Sequence, residues 1–283
     1  MMALNNPTMN VQASKKSDLH ARIQHTAGPL YWVGLALLVV SLPTLALALL
    51  DSRQLQGVSV WLKPFKFQLS TGVYLLTLAL FMVWLPAAAL RSKTARYVVW
   101  AAVLAGLFEV GYITWQASQG VASHFNTQTP FLATMYTLMG IGAVVLASAS
   151  LALGILIARN PLYSLPPATK LAIVLGLVLT FIIGTGFGGY LSAQRAGHWV
   201  GGVLSDSGGL PLVKWSRTGG DLRVAHFFGI HAMHFIPAFA LALGWARILQ
   251  ANAVCAVWAF ALVYTTFCTW TFVQARNGIP LIG

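Results

Sequence analysis

Residues 214–234 read KWSRTGGDLRVAHFFGIHAMH and run on as FIPAFALALGW to residue 245. Three cations, one carboxylate and a Gly-Gly pair lead into the segment. Beyond Arg223 every residue up to 245 is apolar except three histidines. About 20 apolar residues at 1.5 Å each are what a helix needs to cross the hydrocarbon of a bilayer. The stretch therefore predicts a membrane-spanning helix over 222–249 with a polar lead-in.

Working outward, the same criterion marks further spans at 30–50, 60–85, 97–118, 131–158, 168–192 and 253–273. The expected fold is an all-α polytopic membrane helix bundle with about seven transmembrane helices. Residues 1–28 form a polar N-terminal tail, 29–276 the seven-span domain, and 277–283 a short C-terminal tail. The first twenty residues lack an apolar core, so they are not read as a cleavable signal peptide.

Composition points the same way. The 283 residues are 58% hydrophobic and only 8% charged, whereas soluble domains are about a quarter charged. Too few polar groups exist to cover a water-facing surface, and the lipid bilayer is the expected surroundings. Net charge is +12, from 17 basic and 5 acidic residues. These cations are spread over the connections between apolar runs, where they set topology and meet anionic lipid. Nucleic acid is not an expected partner. Cys255 and Cys268 lie about 20 Å apart along one predicted helix, too far to bond each other.

Orientation rests on the short 2–3 and 4–5 connections, which carry Arg91, Lys93, Arg96 and Arg159 with no acid. Positive connections favour the cytoplasmic side. The expected placement is a bacterial-type inner membrane, with the N-terminus cytoplasmic and the C-terminus outside.

Polar groups inside the spans are not scattered. Lys63, Lys66, Ser70, Tyr74 and Thr77 fall within about 80° of one another at 100° per residue. Glu109, Tyr112 and Gln116 line up similarly on the third span. The glycines and Thr185 of the fifth, the histidines of the sixth, and Tyr264 to Gln274 of the seventh complete the pattern. Alternate spans run in opposite directions, so all these polar halves meet at one membrane face. That predicts a pocket open to one side and argues against a continuous channel.

Within that half, His226, His231 and His234 share one side of the sixth span, at about 0°, 140° and 80°. Histidine can ligate a metal or haem, or relay a proton. Pro237 is expected to loosen the helix near Met233 by freeing its carbonyl. Glu109 is the one carboxylate deep in a span, about 15 Å from the polar face. Its depth suggests a pairing with His231 or His234. Glu109 and His234 are the candidate catalytic residues. The candidate metal set is His226, His231 and His234 with Glu109.

His124 and His198, in connections at the polar face, could complete a haem or metal site. Lys63, Lys66, Arg195, Arg217 and Arg223 form a cationic rim suited to a phosphate, carboxylate or haem propionate. Lys214 belongs to the same rim. The plain alternatives are interhelical hydrogen bonds for the histidines and lipid headgroups for the cations. Asp221 is expected to cap the sixth span. Gly184, Gly188 and Gly189 form a small-residue surface for close helix packing. The H-E-x-x-H signature is absent, and a bis-histidine haem would need histidines on two spans.

The leading expectation is a metal- or haem-dependent membrane enzyme, an oxidoreductase among the options, acting on a lipophilic or anionic substrate. The cofactor is unknown from sequence, with haem or a transition metal in view. The runner-up is a transporter or binding subunit for a small anion or lipid. A third option is a subunit of a larger complex, with a partner chain or a second copy of this one.

Overall fold

The structure is a computed structural model that describes residues 7–161, 165–194 and 197–283, with side chains from residue 19 onward. It is an all-α helical membrane bundle. Helix α1 (Pro7–Leu50) is followed by a two-strand turn, β1 (Gln54–Leu55) and β2 (Val58–Ser59). Then come α2 (Leu62–Met82), the short α3 (Ala87–Leu90), α4 (Lys93–Ser118), α5 (Pro130–Arg159) and α6 (Pro167–Ser192). Strands β3 (Trp199–Val200) and β4 (Gly220–Asp221) precede α7 (Arg223–Ile230), α8 (Ala232–Trp245) and α9 (Gln250–Arg276). Among the described residues six helices are long and apolar enough to cross a membrane, and α7 with α8 makes a seventh span if counted together.

Local chemistry sets the helix ends. Ser92 caps α4 by accepting the Ala95 N–H, and Thr129 caps α5 through Leu132, with Pro130 opening the helix. The polar N-terminal segment is itself helical from Pro7. It meets the first span at a kink where Ala27 leaves helical geometry (φ −142°, ψ 43°), two residues before Pro29. At that end Arg22 donates to Val83 O and lies over the Trp84 ring.

Two apolar cores build the bundle. One joins α1, α2, α4 and α5; the other joins α6, α8 and α9. Met233 and Leu177 reach from the second half into the first core. The halves are stitched along α5 and α6, whereas α2 and α7–α8 scarcely pack against each other.

The sixth span is not one helix. It breaks at His231 with a 52° bend between α7 and α8. Pro237, the expected weak point, lies inside α8 and does not mark the bend. The cause is on neighbouring helices. Gly229 packs so closely on α6 that a Cβ there would come within 3.0 Å of Gly184 N. The carbonyls released by the break find substitutes: Tyr264 donates to Phe228 O at 2.6 Å, and Thr180 donates to Ile230 O at 3.4 Å. Thr180 also accepts the Met233 N–H at 2.9 Å. Broken spans persist in lipid where neighbours re-satisfy the backbone in this way.

The connections after α1, α4 and α6 meet at one end, where Arg53 donates to Ser118 O and Ser205 to Gln56 O. The 193–222 connection caps it. Asp206 N and Ser205 Oγ both donate to Gln56 O in the β1–β2 turn. Gly219 and Gly220 let the cap turn tightly, since a Cβ on Gly220 would collide with the Ala275 carbonyl.

Candidate functional site

The structure divides the predicted site residues into three groups. The first is a clamp that holds the cap. The Arg223 guanidinium meets Asp221 at 2.7 Å, Asp206 at 2.8 Å and the Lys214 carbonyl at 2.6 Å. Arg223 is thus committed inside the protein rather than offered to an anion. Asp221 accepts the Arg223 backbone N–H at 3.0 Å, so it serves the start of α7 as expected. His198 joins the clamp through Asp206, 3.2 Å away. Burial lowers the His198 pKa, with Asp206 opposing. Burial would raise the Asp206 pKa, but its hydrogen bond to His198 and the Arg223 charge outweigh this and lower it. Lys66 donates to Val213 O at 3.0 Å and so pins the cap to α2. Arg217 is exposed and donates to Gly283 O. Arg195 lies outside the described residues.

The second group lies between α2, α5, α6 and the broken span. His124, from the 119–129 connection, sits with its ring 6.0 Å from Phe67 of α2 and 6.0 Å from Tyr136 of α5. It feels the charges of Lys63 and His226 as well. Burial, then Lys63, hold its pKa well below the usual histidine range. Lys63 lies over the Phe67 ring at 5.9 Å, and no hydrogen bond or ion pair engages it among the described residues. His226 donates from Nδ1 to Gly184 O at 3.0 Å, held in the α6–α7 seam.

His231 and His234 form a chain with α2. Thr77 Oγ1 lies 2.8 Å from Val73 O and 3.1 Å from His234 Nε2; with its proton assigned to Val73 O, the Thr77 oxygen accepts from His234 Nε2. His234 Nδ1 then carries a lone pair and accepts from His231 Nδ1 at 3.2 Å. By elimination His231 Nε2 keeps its lone pair, and it has no partner among the described residues. The His231 ring is half-buried, 4.2 Å from the Phe227 ring. The Thr77–His234 contact is the one side-chain hydrogen bond between α2 and α8 among the described residues.

The third group is Glu109 alone. It does not meet a histidine: among the described residues no ion pair includes it, and its Oε1 is buried without a partner. The carboxyl instead faces α5 at Gly142, where a Cβ would stand 2.7 Å from Oε1. A helical wheel gives its depth but not which neighbour it faces.

The residues do not fit the expected metal set. Among the described residues no three histidine, cysteine, aspartate or glutamate side chains are grouped to hold a metal ion. His231 and His234 are turned toward each other, His226 toward α6, and Glu109 toward α5. A haem would find single histidine nitrogens, not an opposed pair.

Thr180 and Gly142 carry no expectation from the sequence, which places Tyr264 in the polar half without its partner. Thr180 and Tyr264 support the break, and Gly142 accommodates Glu109. Thr180 had a signal, as a lone hydroxyl between Leu179 and Phe181 in an apolar run. Compared with protein-family models, curated proteins and solved structures, the chain matches none.

Proposed function

We propose that this multi-pass protein binds a lipophilic molecule with an ionisable head between α2 and the broken span, and exchanges a proton with it through His231. The observation that carries the reading is the Thr77–His234–His231 chain, which orients His231 and leaves its Nε2 as an acceptor at the break. A base held this way can take a proton from a phenol or acid. Lys63, which no hydrogen bond or ion pair engages among the described residues, adds positive charge at the polar end of α2, and Phe67, Phe227 and His124 supply apolar and aromatic surface. In this reading the protein is a membrane enzyme using acid–base chemistry, with the site facing outward from an inner membrane. The acid-free cationic connections at the opposite end support that orientation.

The test uses two probes, decylhydroquinone and oleate, titrated into detergent-purified protein and followed by tryptophan fluorescence. Trp215 stands 5.4 Å from Phe227, which abuts His231. Saturable quenching by one probe is expected, weakened about tenfold or more in His231→Leu and in Lys63→Met. Equal affinity in wild type and both variants would overturn the assignment.

One observation favours a second reading, transport of the same class of molecule. The halves have two main cores, with Ile173, Leu177 and Met233 of α6 and α8 reaching into the first, and a discontinuous span lies at their boundary, as in proteins that rock around a midplane site. Uptake of labelled oleate into proteoliposomes, without chemical change, would select it.

A further inference from the structure

Glu109 poses a problem that the histidine chain does not solve. It is 4% exposed, its Oε1 has no partner, and no cation lies within ion-pair distance among the described residues. An unpaired carboxylate in this setting is costly. Its position is nevertheless built: Gly142 on α5 leaves room that a Cβ would take from Oε1. Lys63 lies over Phe67, which packs against Tyr112 and Ile113, about one turn along α4 from Glu109.

The other titratable groups near this junction are occupied or neutral in character. Tyr74 of α2 donates to Leu146 O on α5 at 2.7 Å. On α4 itself Tyr112 accepts from Gln116 at 2.9 Å. Tyr136 of α5 donates to Ser192 O, and His124 is turned to Ser123 and the aromatic rings. That leaves Lys63, whose four-carbon stem allows its ammonium to move.

We propose that Glu109 is a proton-binding site separate from the histidine chain, alternating between a protonated carboxyl cradled by Gly142 and a carboxylate paired with Lys63. In the first state Lys63 rests on the Phe67 ring, as seen here. In the second the carboxyl releases its proton toward the polar face, and the ammonium moves off Phe67 to meet it. One proton leaves for one ion pair formed, so charge in the interior is conserved apart from that proton. Because Lys63 also borders the proposed ligand site, an anion there would compete for it and favour proton uptake by Glu109.

The probe is dicyclohexylcarbodiimide, an apolar reagent that modifies protonated carboxyls within membranes. Full-length protein in detergent is labelled across pH 5 to 10 and read by peptide mass spectrometry. Label is expected on Glu109 at low pH, fading as pH rises, and absent in Glu109→Gln. In Lys63→Met, which keeps the carboxyl, the fade should move up by about one pH unit or more, because the compensating cation is gone. No label on Glu109 at any pH, or a profile identical in Lys63→Met, would overturn the proposal. Neither readout depends on the probe binding that tests His231.

Discussion

One hydroxyl, that of Thr180, holds both sides of the break in its neighbour: it accepts from Met233 N at 2.9 Å and donates to Ile230 O. The bond to Met233 N is buried and the bond to Ile230 O partly so, and removing the hydroxyl leaves both backbone groups without this partner. Each such group costs about 1–3 kcal/mol. Thr180→Val, nearly the same shape, should lower the melting temperature in detergent clearly, whereas Thr180→Ser should restore most of it. A Thr180→Val protein as stable as wild type would mean the break is held by packing alone.

Close packing of α6 on α7 makes a second, paired prediction. A Cβ on Gly188 would stand 2.8 Å from the His226 ring, while one on Gly189 meets nothing within 4 Å. Gly188→Ala should therefore push His226 off Gly184 O and destabilise by about 1–3 kcal/mol. Gly189→Ala should be neutral or slightly stabilising, since alanine is the better helix former. Equal melting temperatures for the two variants would contradict the predicted asymmetry.

That contrast shows what a sequence can and cannot carry. Apolar runs reflect a solvent requirement that each span meets alone, so six spans and the bent α7–α8 pair were legible, although the first helix begins at Pro7, well before the expected residue 30. Partner choice was not. The break at His231 has its supports on Thr180 and Tyr264, two other helices, and Pro237 misdirected attention because its local effect is easy to read. Arg223 looked like a ligand-binding cation until the cap folded Asp206 onto it from 17 positions away. Glu109 and the histidines share a depth yet face different neighbours, which only the packing of α4 on α5 decides.

The grouping of the histidines bears on the haem and metal expectation. His231 and His234 point at each other, and no three ligand side chains converge among the described residues. Protein purified from cells supplied with haem and metals should show no Soret band and less than stoichiometric zinc, iron or copper. A Soret band that weakens in His231→Leu would reverse this conclusion and make His231 an axial ligand.

Acid should loosen the polar end before the rest. His124 and His198 lie outside the spans, and burial lowers both pKa values. A histidine with a lowered folded pKa binds protons more readily when unfolded, where its value is about 6.5. Its contribution is therefore fully present above about pH 6.5 and is lost as pH falls toward the folded value. The Asp206 pKa is also lowered, so its contribution holds above about pH 4 and fades only below that. Melting temperature should be flat from pH 8 to 7, then fall through the two histidines as pH drops below about 6.5. His124→Phe, which keeps a ring between Phe67 and Tyr136, should flatten part of that fall. An unchanged slope in His124→Phe would show that His124 is not charged on unfolding in this range, and would assign the acid sensitivity to the His198–Asp206 clamp.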